Sequence, residues 1–117
     1  MTSIRVAVAF ILGFTCLTAI GMSQGYVHNG FLTGRQYLDL PTVGQNGYAA
    51  GLIDGMFLAP FFGAPNDRVA VIENCVNGMT DQQVAAILAG HLRSKPEIWH
   101  LGAHTALYQA LIERCPK

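Results

Sequence analysis

This chain has little charge. Seven basic and seven acidic side chains make up 12% of its 117 residues and cancel to a formal net charge of zero. That balance excludes the basic face that nucleic acids require. It also leaves no strong field to steer a charged partner. Reaction centres are missing too: no glycine-rich phosphate loop follows a strand pattern, and no Ser, His and Asp set has a recognisable context. Neither an enzyme nor a cofactor site is assembled by any spacing in the chain.

What is plentiful is apolar surface, at 51% hydrophobic residues, and it is unevenly spread. Met1 to Arg5 carries one positive side chain, Val6 to Ile20 is almost unbroken apolar, and Gly21, Ser23 and Gly25 follow. This is the build of a secretory signal peptide over residues 1–25. Small residues before the cut are supplied by Ser23 with Gly25, which makes Tyr26 the mature N-terminus, or by Ala19 with Gly21. Cys16 lacks the setting of a lipoprotein site and leaves with the peptide. The competing reading is an uncleaved anchor, because Val6 to Met22 approaches the lower limit for spanning a bilayer. The shortness of the run and its small-residue exit favour cleavage, and with it no membrane attachment afterwards.

From Tyr26 onward roughly 92 residues remain, a marginal size for a lone hydrophobic core, so a covalent staple or a partner chain is expected. Two cysteines are left, Cys75 and Cys115. An even pair in an exported chain argues for one disulfide. Two free thiols are the other reading, or a metal pair, although zinc wants four ligands.

Helical signals dominate this part. A short helix fits from about Thr33 to Leu38, stopped by Pro41. Between Thr42 and Phe62 the small residues Gly47, Gly51, Gly55 and Ala59 recur every four positions, flanked by Leu52, Ile53, Met56 and Phe57. Such a stripe predicts a groove on one helix face where another backbone packs closely. Gln45, Asn46 and Asp54 within it argue for a buried helix of a soluble domain over a membrane span. Asp54 has no second acid or histidine at helical spacing, which makes it a structural carboxylate.

Residues 62–79 change character. Gly63, Pro65, Asn66 and Asp67 are turn formers, Val69 to Ile72 is apolar and largely β-branched, and Asn74 to Gly78 is a second turn cluster. The expectation is a long loop with a short extended piece, pinned by Cys75. Thr80 and Gln83 then form a capping box. Val84, Ile87, Leu88, His91 and Leu92 follow as the stripe of an amphipathic helix. Pro96 stops it and opens the last helix, expected to run to Arg114 with Leu101, Thr105, Tyr108, Leu111 and Ile112 inward. The fold class is therefore all-α: a small domain of about four helices with one long loop and one disulfide.

His91, His100 and His104 lie in the last two helices. The pair His100 and His104, at i and i+4, has the spacing that lets two imidazoles share a metal. A third ligand and the glutamate of a metalloprotease motif are both lacking, so no metal is expected, with His91 at the edge of the core and the other two toward solvent.

Four motifs occur in order: Gly47-Tyr48-x-x-Gly51-x-x-Asp54, Cys75-x-x-Gly78-x-Thr80-x-x-Gln83, Leu92-x-x-x-Pro96-Glu97 and a terminal Cys115. In this order, over about Phe31 to Pro116, the chain resembles the Tai-like family, the immunity proteins of type VI secretion amidases. The family often carries a second cysteine pair where this chain has residues such as Leu40 and Asn46. The resemblance implies a small helical periplasmic protein, often a homodimer, that binds a peptidoglycan amidase and occludes its active site without catalysing anything. An orphan periplasmic protein of the same domain family, with a structural or stress role and no effector, is the alternative. The segment expected to meet the amidase is the loop before the capping box, with Asn66, Asp67, Arg68 and Glu73 as polar contacts and Val69 and Ile72 as apolar anchors.

Overall fold

The structure, a computed structural model, describes residues 25–115; residues 1–24 of the expected signal peptide, Cys16 among them, lie outside these. Five α-helices follow one another: α1 (Gly34–Leu38), α2 (Thr42–Phe57), α3 (Asn66–Val76), α4 (Asp81–Ser94) and α5 (Ala103–Arg114). Short 3-10 turns at Ala59–Phe62 and Pro96–Ile98 punctuate them. Among the described residues there is no strand, only one antiparallel bridge between Thr33 and Gly102. The chain is all-α, as expected, with five α-helices in place of about four.

Capping boxes start two of the helices. At α1 the Thr33 hydroxyl accepts from the Gln36 amide while Gln36 accepts from the Thr33 amide; Thr80 and Gln83 do the same for α4. Each box satisfies two of the amides a helix start leaves without partners. The first turn of α1 is also tied to the connection before α5, by Gly34 N–H to the Leu101 carbonyl at 2.8 Å and Arg35 N–H to the Trp99 carbonyl at 3.0 Å. Glycine is required there, because a Cβ on Gly34 would lie 2.6 Å from the Leu92 side chain and 3.3 Å from the Trp99 backbone.

The core is built on Tyr37, Leu88, Leu92, Leu107 and Leu111, all fully buried. Tyr37 holds three segments at once. Its hydroxyl lies 3.2 Å from the Ala85 carbonyl and 3.4 Å from that of Gln45, and Gln45 Nε2 returns to the Tyr37 and Leu38 carbonyls at 3.3 Å. Burial pushes the Tyr37 phenol up to about 12, against a smaller opposing pull from Arg93. Trp99 closes the other side, donating from Nε1 to the Leu92 carbonyl at 2.7 Å with the Arg35 guanidinium 5.1 Å from its ring centre.

The expected long loop is largely a helix. Residues Asn66–Val76 form α3, opened by Pro65 and carrying Asp67 in its first turn. The β-branched run and flanking turn residues favour an extended loop locally, but a helix brings Ile72 and Val76 onto one face, where both are buried. Tertiary burial outweighs a propensity difference of less than about 1 kcal/mol per residue. Cys75 is disulfide-bonded to Cys115 across 40 residues, joining the C-terminal ends of α3 and α5.

The last helix begins later than expected and turns a different face inward. Pro96 opens only a 3-10 turn, and Gly102, where a Cβ would meet the Asn29 carbonyl at 2.7 Å, caps the true start of α5. Its buried residues are Ala103, Ala106, Leu107, Ala110 and Leu111, whereas Leu101, Tyr108 and Ile112 are each more than a third exposed and Thr105 also faces outward. Three alanines on the inner face let α5 approach its neighbours more closely than the larger residues would. Of the expected inward set, only Leu111 is buried.

Candidate functional site

Proline decides where α2 stops. Pro60 has no amide hydrogen to continue the ladder, so α2 gives way to the Ala59–Phe62 turn. Gly63 closes the turn at φ 91°, a left-handed conformation suited to glycine. Bonds from Phe61 N–H to the Leu58 carbonyl, from Gly63 N–H to the Pro60 carbonyl and from Ala64 N–H to the Ala59 carbonyl, at 3.0 to 3.2 Å, fix its shape. Leu58 is left 52% exposed, Phe61 84% and Phe62 87%. Sequence reasoning placed these aromatics at the end of a buried helix. Pro60, Gly63 and Pro65 so close together were the signal that the helix ends and presents them outward.

The stripe of small residues on α2 does not pack within the chain. A Cβ built on Gly47, Gly51 or Gly55 would meet nothing within 4 Å, and all three are exposed; Ala59 belongs to the following turn. The expected helix-on-helix groove is corrected accordingly: α2 packs through Ala49 and Ile53, on its opposite side. The alternation that put glycines on one face left the larger residues free to fill the core. Gly51 and Gly55 instead floor an open groove of about 410 Å³, shared with Leu52 and Met56 and walled by His104, Thr105 and Tyr108 of α5.

On α3 the predicted contact residues divide. Asn66, Asp67, Arg68 and Glu73 are exposed, and Val69 is half-buried. Ile72, at 4% exposure, belongs to the core and offers nothing to a partner, a correction that follows from the helix its segment forms. Asp54 is exposed on α2 and free to be solvated without a partner.

The histidines are dispersed. His100 is exposed in the turn before α5, so it does not share a helix face with His104, and the i, i+4 pairing on one helix is lost. His104 is half-buried under Gly30 and Gly102, its Nδ1 without a partner. Among the described residues no group of three histidine, cysteine or acidic side chains is arranged to hold a metal. His91 is more buried than a core-edge position implies: its side chain is 6% exposed, with Nδ1 3.6 Å from Glu113 Oε2 and Nε2 buried without a partner. Lys95 Nζ donates to Glu113 Oε1 at 2.7 Å, which holds the Glu113 carboxyl below the usual carboxylate range.

Among the described residues no helix is long and apolar enough to cross a membrane. The described surface presents an apolar tip at Leu58 to Phe62, a polar helix face on α3 and an open groove between α2 and α5. In comparisons with protein-family models, curated proteins and solved structures, nothing matches this chain.

Proposed function

We propose that the chain is a periplasmic immunity-type protein that binds a peptidoglycan amidase effector of type VI secretion and blocks its active site. The observation supporting this is the outer face of α3. Asn66, Asp67, Arg68 and Glu73 stand exposed on a helix whose inner residues Ile72 and Val76 are buried and whose Cys75 is bonded to Cys115. An inhibitor surface ordered before binding loses little conformational entropy when it meets a cleft. A stapled helix meets that requirement better than the loop expected from the sequence. The disulfide suits an oxidising compartment, and the order of the four motifs supplies the link to amidases.

The test mixes the purified oxidised protein with amidases encoded beside it and measures binding and inhibition of peptidoglycan hydrolysis. Wild-type protein should bind and inhibit one of them. Asp67→Lys and Arg68→Glu should weaken binding by about tenfold or more, as reversed charges do at a complementary interface. A wild type that binds none ends the immunity reading and leaves the orphan structural role. Binding indifferent to both reversals moves the interface away from α3.

A further inference from the structure

Cleavage after Gly25 creates a group that the precursor does not have. It leaves Tyr26 with a free α-amine and puts His28 third in the mature chain, with Val27 between them. Four nitrogens then lie within one tripeptide: the α-amine, the backbone nitrogens of Val27 and His28, and His28 Nδ1. Bound to one ion they close two five-membered rings and one six-membered ring, and all four fit a single plane. A proline in second or third place would remove one of these donors, and neither residue is a proline.

The fold leaves this tripeptide free to wrap. Tyr26, Val27 and His28 are exposed and outside any helix. The His28 amide donates to the Gly30 carbonyl at 3.3 Å, a long bond in exposed backbone whose loss costs little. Just beyond, the chain is fixed: Ala103 N–H donates to the Leu32 carbonyl at 2.8 Å, and Thr33 bridges to Gly102. The donors therefore sit on a short arm that can close round an ion without disturbing the core.

We propose that the mature N-terminus, Tyr26-Val27-His28, is a binding site for one Cu(II) ion. A square plane of nitrogen donors selects Cu(II) first and Ni(II) next. Zinc has no preference for that geometry and gains too little from it to displace amide protons. On binding, the two amide protons and the ammonium proton pass to water, so affinity rises with pH. Cu(II) is also the copper state that suits the oxidising compartment in which Cys75 and Cys115 are joined. Three of the four donors are backbone groups, so the lack of a histidine, cysteine and acid cluster among the described residues does not bear on this site. It rests on cleavage after Gly25 and is independent of the amidase reading, which rests on α3.

A weaker competitor lies beside it. His28 and His100 line the same concavity, of about 300 Å³, and can take copper through imidazoles alone. To separate the two, protein expressed from the full sequence is recovered oxidised from the periplasm of the host, its N-terminus is read by mass spectrometry, and it is titrated with copper chloride against glycine as competitor. The mature chain should begin at Tyr26 and bind a single Cu(II), with the violet absorption and the electron-spin hyperfine pattern of four equatorial nitrogens. His28→Ala, Val27→Pro and an alanine added before Tyr26 should each keep the wild-type circular dichroism and weaken binding by more than about 100-fold, since loss even of a group that supports a ligand costs about 10–100-fold. His100→Ala should leave the affinity unchanged. A mature chain beginning at Met22, whose third residue is Gln24, would overturn the proposal, as would copper held no more tightly than by glycine. Affinity indifferent to Val27→Pro, or lowered as much by His100→Ala as by His28→Ala, would assign the copper to the imidazole pair and overturn it too.

Discussion

The Tyr37 hydroxyl lies 3.2 Å from the backbone carbonyl of Ala85, 48 residues further along the chain, and this is a wholly buried contact. It joins the five-residue helix α1 to the middle of α4. A helix as short as α1 has no stability of its own, so its position depends on such bonds.

Tyr37→Phe should therefore destabilise the fold by about 1 kcal/mol, the net value of a buried neutral hydrogen bond. It should also change the alkaline limb. In the folded state the phenol is raised from 10.0 to about 12 by burial, so between these values the native state keeps a proton that the unfolded state has lost. Stability must then fall as pH rises through this window. Denaturant midpoints from pH 9 to 12 should show that fall in the wild type and a shallower one in Tyr37→Phe.

Two glycines make opposite predictions. A Cβ on Gly90, inside α4, would meet nothing within 4 Å. Gly90→Ala should raise stability by about 0.5–1 kcal/mol through reduced chain entropy. Gly34→Ala should lower it by about 1–3 kcal/mol, because the new carbon lies too close to Leu92 and to the Trp99 backbone. Paired urea denaturation curves decide both, and equal midpoints for the two variants would contradict the packing described at α1.

At Glu113 the prediction concerns titration. The hydrogen bond from Lys95 is the main cause of its lowered pKa, with the charge of Lys95 and then His91 adding to it. A depressed carboxyl stabilises the fold above its unfolded pKa, and that contribution disappears as pH falls through the folded value. Carboxyl-detected NMR should find Glu113 titrating below an ordinary glutamate, and Lys95→Ala should move it back up. No movement in that variant would mean that the 2.7 Å contact is not held in solution.

What was legible in the sequence was local. Thr80 with Gln83 is a pattern four residues wide, and both of its hydrogen bonds form, at 2.8 and 3.2 Å. The heptad-like stripe from Val84 to Leu92 likewise needs only its own helix to be recognised, and the expected pairing of Cys75 with Cys115 is present. What escaped depends on distant partners. The run Val69 to Ile72 reads as extended until Ile72 and Val76 find a core to enter. The register of α5 turns on Gly102, whose importance lies in the Asn29 carbonyl beside it. Exposure of Phe61 and Phe62 was signalled only in part: Pro60, Gly63 and Pro65 end the helix, but whether another element covers the turn depends on the rest of the fold. The glycines of α2 were read correctly as one face and wrongly as a packed one.

The disulfide carries the last prediction. It closes a segment of 40 residues between Cys75 and Cys115, which the chain-entropy relation converts to a stabilisation of about 4 kcal/mol. That is a large share of the 5–15 kcal/mol or so typical of a whole domain. Among the elements, α3 should depend on it most, because Ile72 and Val76 are its only buried residues and no side chain caps its N-terminus. Reduction, or the double variant Cys75→Ser with Cys115→Ser, should lower the global unfolding free energy by about 4 kcal/mol and should also loosen α3 selectively. Hydrogen exchange separates the two effects: amides of α3 should lose more protection than those of α4, where Leu88 and Leu92 stay buried. Uniform loss of protection would show that the staple acts only on the unfolded chain. Preferential loss at α3 would show that it also holds in place the helix whose outer face carries Asp67, Arg68 and Glu73.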